Sequence, residues 1–354
     1  MLKSSGLRRF FCWSELGSKA GTGSILLLDF ARNRVIVRWH WGSRLLQIGV
    51  KVDTRIRSRK VAIIGAGRVG TAVGCILQQK GLNVAAVASR SEGSLERAER
   101  YISGFKTHDA VAAAKPADTI FITTNDDQIE PLCQQIAEDG GFEPGDVVFH
   151  MSGALPTTVL NSAKESGALV ASIHPLQSFA TIEGAISKLP GSVFGITAEE
   201  SVLPLAREIV EALDGTAVVV KDEDKALYHA AACAASNYFV GLIHFAQSLY
   251  GQLGIPEDVA LQALLPLIKG TLANMESQGT VAALTGPIAR GDIDPLKKHL
   301  AAFEKKLPEK EKLYCELGKY TTLVALEKGT ISKAKQRELY QLLQGGSSGP
   351  ESNC

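Results

Sequence analysis

The chain has 354 residues, 45% of them hydrophobic and 21% charged, a balance that excludes disordered, collagen-like and disulfide-scaffold classes and makes two domains the expectation. Its net charge of +1 hides an asymmetry: residues 1–59 carry twelve Lys and Arg against three acids, whereas the remainder carries 26 against 34. The acidic body argues against sequence-independent nucleic-acid binding, which needs clustered cations to displace counterions.

The +9 leader, residues 1–59, is Arg-rich and poor in acids, as transit peptides are. It also holds strand-like runs at Ser24–Asp29 and Arg34–Trp41, which a transit peptide does not need. It is read as a basic N-terminal extension of uncertain structure or a mis-assigned start. No run approaches the ~18 apolar residues of a membrane span, so no membrane association is expected. The six cysteines, Cys12, Cys75, Cys133, Cys233, Cys315 and Cys354, show no metal-binding or CxxC spacing. They fit a reducing, cytoplasmic setting, with most of them acting as small buried hydrophobes and no metal bound.

The pattern changes at Lys60. A β-branched run, Lys60–Ile64, leads straight into Gly65-Ala66-Gly67-Arg68-Val69-Gly70, and a helical pattern follows to Lys80. Further apolar strands are predicted at Val84–Ser89, Asp118–Thr123, Asp146–His150 and Leu169–Ile173. Helices are predicted over Leu95–Ile102, Asp127–Glu138 and Thr157–Ser166. Continuous apolar strands alternating with helices indicate a doubly wound parallel α/β sheet covered on both faces. Ser192–Ile196, a helix over Ser201–Leu213 and Thr216–Val220 extend the same rhythm.

After Lys221 the strands stop. Asp222–Leu253 reads as one long Ala-rich helix buried on several sides. Pro256–Gln278, Pro295–Leu307, Glu309–Lys328 and Ser332–Leu343 read as further helices. The expected organisation is a Rossmann domain at 60–221, an all-α substrate and dimerisation domain at 222–343, and a disordered tail at 344–354.

GxGxxG alone is a weak signal, but here a strand precedes it and a helix follows it. Gly65 permits the tight turn, Gly67 lets a pyrophosphate approach the backbone, and Gly70 lets helix pack on strand. Arg68 and Val69 open the helix whose free N–H groups face the phosphates. At the end of the second strand, NAD binders carry an acid for the ribose 2′-hydroxyl; this chain has Ser89-Arg90-Ser91. A guanidinium and two hydroxyls suit a 2′-phosphate, so the expected cofactor is NADP. Thr123 and Thr124, Ser152 in His150-Met151-Ser152-Gly153, and His174-Pro175-Leu176-Gln177 put hydrogen-bonding groups at three successive strand ends, where open α/β sheets bind ligands. Lys225, His229 and Ser236 are spaced to share one helix face, with Asn237 beside it. His229 and His174 compete for the role of proton donor to a carbonyl or imine. Lys225 is a candidate to polarise that group or hold a carboxylate, and Asn237 to orient substrate. Each also has a plain structural reading. Arg290, in Leu284–Asp292, either binds a carboxylate or pairs with Asp292.

GAGRVG at 65–70, HPLQSF at 174–179, ASNY at 235–238 and LTGPIARGD at 284–292 together resemble Rossmann-like proteins carrying the domain of unknown function 2520. These are similar to pyrroline-5-carboxylate reductase, ketopantoate reductase and the 6-phosphogluconate and β-hydroxyacid dehydrogenases. The resemblance covers roughly 60–340. It implies an NADP-binding domain followed by a helical domain that often dimerises, as in 6-phosphogluconate dehydrogenase. It also points to Lys225 and Asn237 as the nearest counterparts of the Lys and Asn that the β-hydroxyacid and ketopantoate families use. His229 is an addition to that pattern. The resulting expectation is an NADP-dependent oxidoreductase reducing a small carbonyl or imine acid, in a homodimer. The alternative is a non-catalytic NADP-binding regulatory or scaffold protein.

Overall fold

The computed structural model of the chain describes residues 56–345 and, as backbone, three strands within 24–50. The readings made for the rest of the leader and for the tail beyond Gly345 lie outside the described residues. The three strands, β1 (Ser24–Asp29), β2 (Arg34–Trp41) and β3 (Arg44–Val50), form an antiparallel meander, so both strand-like runs in the leader are strands.

The main sheet has eight strands: β4 (Lys60–Ile64), β5 (Asn83–Ala88), β6 (Phe105–Thr107), β7 (Thr119–Ile122), β8 (Val147–His150), β9 (Leu169–Pro175), β10 (Val193–Ala198) and β11 (Thr216–Val219). Their spatial order is β11-β10-β9-β8-β7-β4-β5-β6. From β6 to β9 every pairing is parallel, which gives the doubly wound arrangement with its switch point beside β4. Helices α1 (Arg68–Gln79), α2 (Glu92–Glu99), α3 (Ala110–Ala114), α4 (Asp126–Glu138), α5 (Asn161–Glu165), α6 (Ile182–Lys188) and α7 (Leu203–Ala212) connect the strands.

Two hydrophobic clusters lie on the two faces. One holds Val61, Ile63, Val73, Leu77, Phe121, Phe149 and Phe194; the other holds Ile64, Ile120, Ile122, Ile129 and Val148. Alternation along β4 and β7 sends successive side chains to opposite clusters, which is why these strands read as unbroken apolar runs. Phe121 and Phe149 stack at 5.0 Å between centroids. Cys75, Cys133 and Cys315 are buried free thiols, and Cys233 is half-buried.

The last two strands depart from the expected rhythm. β10 runs antiparallel to β9, and β11 runs parallel to β10. Phe194 pairs with Pro175 and Ala198 with Ala171, so the chain leaves β10 at the edge of the sheet opposite the strand ends singled out above. Strand direction follows from the path of the connection, and no local residue pattern encodes it.

The chain divides into two compact units between Asn237 and Tyr238. The single long helix expected at Asp222–Leu253 is instead a short 3-10 turn followed by α8 (Lys225–Ala235) and α9 (Asn237–Gly251). The break is at Ser236, the C-cap of α8, whose φ of −119° is well off the regular helical value. Nor is this stretch buried on several sides: Lys225 is the one buried residue of α8, and none is buried in α9. Apolar composition alone does not supply a partner surface. By length and composition, Asp222–Gly251 meets the minimum for crossing a membrane, with a mean hydropathy of 1.2. No run of that length is expected from the sequence, and this stretch is the exception. The second unit holds α10 (Glu257–Ala283), kinked at Gly279 with φ 80°, then α11 (Pro287–Arg290), α12 (Ile293–Lys306), α13 (Pro308–Glu327) and α14 (Lys333–Gln344). Leu296, Ala325, Ile331 and Leu339 form its small core.

Candidate functional site

The loop from β4 to α1 is built as a cradle. Gly65 has φ +115°, and a Cβ there would lie 2.7 Å from the Thr123 carbonyl carbon. A Cβ on Gly70 would lie 2.2 Å from the Gly65 oxygen and 2.3 Å from Thr123 Oγ1. Both positions therefore require glycine for internal reasons. Gly67 is different: its φ is −80°, and a Cβ would meet nothing within 4 Å. The chain itself gives no steric reason for glycine there, but close approach of an outside group to the backbone does. Gly67 is the N-cap of α1 and supplies no side-chain cap, so the first N–H groups of the helix are available to an anion.

Two clefts flank the cradle. One, of about 800 Å³, runs past Ser89, Arg90, Ser91, His108 and Thr124. The other, of about 920 Å³, runs past Arg68, Thr123, Asp126, Met151 and Ser152. Arg90 lies on the rim of the first, its guanidinium donating to Gln128 Oε1 at 3.3 Å. Thr123 donates to the Gly65 carbonyl at 2.7 Å and fixes the turn, while the Thr124 hydroxyl is buried with no hydrogen-bond partner among the described residues. The two clefts together have the extended form that a dinucleotide needs, with the open cradle between them.

Beyond the second cleft lies a cluster of ionisable side chains. The Lys225 ammonium is buried and donates to Ser172 Oγ at 2.8 Å and to the Ser152 carbonyl at 3.2 Å. Burial lowers its pKa to about 8, against the opposing pull of Asp222 and Asp126. Ser152 Oγ donates to Asp126 Oδ2 at 2.8 Å and accepts the N–H groups of Ala154 and Leu155. Tyr228, one residue before His229, bonds His174 Nδ1 through its hydroxyl at 3.0 Å. Burial depresses His174 to about 4, with the nearby Lys225 and then His229 adding to the effect electrostatically. His174 is therefore neutral at pH 7. With the Tyr228 hydroxyl donating to Nδ1, its proton is on Nε2. The His174 and His229 rings meet edge to face at 6.0 Å. Both crowd Gly153, where a Cβ would lie 2.7 Å from His174 Cε1 and 2.8 Å from His229 Cδ2.

The antiparallel turn of β10 and β11 explains this convergence. It returns the chain to the far edge of the sheet, and α8 then climbs alongside β9. Thr157 N–H donates to Asp222 Oδ1 at 2.8 Å and holds the start of the climb. Four helical residues rise ~6 Å and two strand residues ~6.6 Å, so Lys225 meets Ser172 while His229 meets His174.

The structure thus gathers Lys225, His229, His174 and Ser152 of the sequence-derived candidates. Asn237 is exposed at the start of α9 with no side-chain hydrogen bond to another described residue, and Ser236 occupies the helix break. Arg290 pairs with Asp292 at 2.8 Å in the second unit. Sequence reading passed over Tyr228, Ser172 and Asp126. Tyr228 reads as an apolar helix residue and Ser172 as a small strand residue, and only the register of α8 on β9 reveals either.

Comparison with known proteins agrees with this architecture. The fold and cradle define a Rossmann-like protein, and the family model of the Rossmann-like domain matches residues 47–175. The model of the domain of unknown function 2520 matches residues 192–321, so a match to this domain follows the Rossmann-like one along the chain. Protein TM1727 of Thermotoga maritima is 27% identical, with a TM-score of 0.58 over 75% of this chain and 98% of that one. A Bacteroides fragilis protein described as an NADP oxidoreductase is 22% identical, with a TM-score of 0.60 over 81% of this chain and 99% of that one. A ketol-acid reductoisomerase (NADP(+)) of Kocuria rhizophila is 35% identical over 98 residues, which is 28% of either chain.

Proposed function

We propose that this protein is an NADP-dependent oxidoreductase that reduces a small carbonyl or imine acid. The observation that carries the reading is the imidazole pair His174 and His229, placed over Gly153 directly beside Ser152, which itself lines the cofactor cleft. The open backbone at Gly67, the uncapped α1 and the Ser89-Arg90-Ser91 loop support NADP. The NADP in the names of the Bacteroides and Kocuria relatives points the same way.

When bound, the nicotinamide supplies a hydride to the electrophilic carbon of the substrate. The protein's own part is proton delivery and positioning. His229 donates a proton to the substrate oxygen or nitrogen. Neutral His174, its tautomer fixed by Tyr228, presents Nε2–H as a hydrogen-bond donor beside it. Lys225 does not reach the cleft; it anchors α8 and holds Ser152 and Ser172 in place. We further propose that a second copy covers the exposed apolar residues of the helical region, among them Val240, Leu261, Leu265 and Leu267.

The test is NADPH oxidation with a panel of oxo acids and cyclic imines, together with NADPH Kd, for the wild type and His229→Ala. Turnover that is lost in the variant, with Kd retained, supports the assignment. Tight NADPH binding without turnover on any panel member points to the non-catalytic alternative.

A further inference from the structure

His108 belongs to none of the groups discussed above, yet it lies on the wall of the 800 Å³ cleft that holds Ser89, Arg90 and Ser91. Its Nδ1 is 2.8 Å from the Ser89 carbonyl oxygen and its Nε2 is 2.8 Å from Glu92 Oε2. Both of these oxygens are acceptors only, so both ring nitrogens must carry protons for the two bonds to form. That makes the ring an imidazolium. The bond to Ser89, followed by the Glu92 carboxylate, raises the His108 pKa above its ordinary value.

The ring thereby ties down both ends of one short loop. Ser89 opens the loop, and its N–H already donates to the Thr107 carbonyl at 3.2 Å. Glu92 closes the loop and begins α2. A carboxylate at this place opposes a 2′-phosphate, for the same reason that an acid at the end of the second strand favours NAD. The other nearby charges are otherwise engaged or farther off. Asp109 caps α3 through the Val111 and Ala112 N–H groups, Lys106 lies 3.9 Å from Glu99, Arg90 bonds Gln128, and Lys115 lines the cleft from α3's far end. Glu92 is the charge that acts directly on the ring.

We propose that His108 is a cofactor-specificity residue: clamped between the Ser89 carbonyl and Glu92, it shapes the Ser89–Ser91 loop and cancels the adjoining acid, so that the loop accepts a ribose 2′-phosphate. The inference rests on the NADP reading above. The discrimination it provides fades as pH rises and the ring loses its second proton.

The experiment measures Kd for NADPH and NADH on the intact protein at pH 7 and pH 9, for wild type, His108→Gln, Glu92→Gln and the double variant. The 2′-phosphate, with a second pKa near ~6, is a dianion at both pH values. The expected wild-type preference for NADPH falls about three- to fivefold from pH 7 to pH 9, the size of an exposed charge interaction. His108→Gln lowers the preference at pH 7 by the same factor and removes the pH dependence. Adding Glu92→Gln restores the preference, and NADH affinity stays constant throughout. A clear wild-type preference that His108→Gln leaves unaltered, or equal losses for both nucleotides, overturns the His108 assignment alone. A wild type that binds the two nucleotides equally at pH 7 overturns the NADP reading and this inference with it.

Discussion

The Lys225 ammonium lies 2.8 Å from the Ser172 hydroxyl, with no carboxylate within ion-pairing distance among the described residues. Its hydrogen bonds go to neutral groups, with Asp222 and Asp126 offsetting only part of the desolvation penalty from farther off, and what the cation supplies in return is position. In Lys225→Met the Ser172 hydroxyl and the Ser152 carbonyl lose the ammonium as donor but keep the bond between them at 3.2 Å. The expected net change in stability is within about 1 kcal/mol, because the lost hydrogen bonds are offset by relief of the ammonium's desolvation. Urea unfolding measures it. Loss of the nearby charge also raises the His174 pKa, which NMR titration reads directly.

Tyr228→Phe removes the donor to His174 Nδ1 and leaves the ring free to change tautomer. The expected result is a fall in kcat with little change in NADPH Kd. His229→Ala falls further, by about 10²–10⁴, the usual contribution of a proton donor. Steady-state NADPH oxidation, with NADPH Kd measured alongside, separates the two variants by the size of the fall in kcat.

The glycines of the cradle separate folding from binding. Gly70→Ala places a methyl 2.2 Å from a backbone oxygen, and the protein is expected to fold poorly or not at all. Gly67→Ala meets open space and is expected to keep its melting temperature, within the ~1 kcal/mol that a Gly-to-Ala change at a helix start entails. Its NADPH Kd is expected to weaken at least about tenfold, because the methyl occupies the approach path of the pyrophosphate. Thermal shift with and without NADPH checks both variants.

Acid stability follows from the buried histidines. Burial lowers the folded pKa of His150 to about 3 and of His174 to about 4. A group with a depressed folded pKa contributes stability that is present above its unfolded pKa and lost as pH falls toward the folded value. Stability is therefore expected to decline from pH 6.5 to pH 4, by about 3 kcal/mol for His174 when the loss is complete. Urea midpoints across this window test it, and His174→Asn flattens the slope.

Much of this fold is legible in the sequence because its signals are local. Apolar runs mark β4, β7 and β8, and GAGRVG after β4 announces the cradle. What is not legible depends on partners distant in the chain. β6 is three residues long, Phe105–Thr107, too short for a period to show. Pro190-Gly191 marks a turn before β10 but not the direction the strand then takes, and the break at Ser236 carries no Gly or Pro signal. Of the site, His174, His229 and Lys225 stood out as polar residues in apolar surroundings. Tyr228 did not, because its partner lies 54 residues earlier.

The matched rise of α8 along β9 separates two tasks that many active sites combine. Lys225 anchors α8 to β9, and in the proposed function His229, one turn further on, is the residue of α8 that serves the substrate. Exchange of His229 for another proton-bearing side chain changes the chemistry offered at Gly153 while leaving the anchor intact. A single inserted residue between β11 and α8 rotates the helix by ~100° and dislocates anchor and chemistry together.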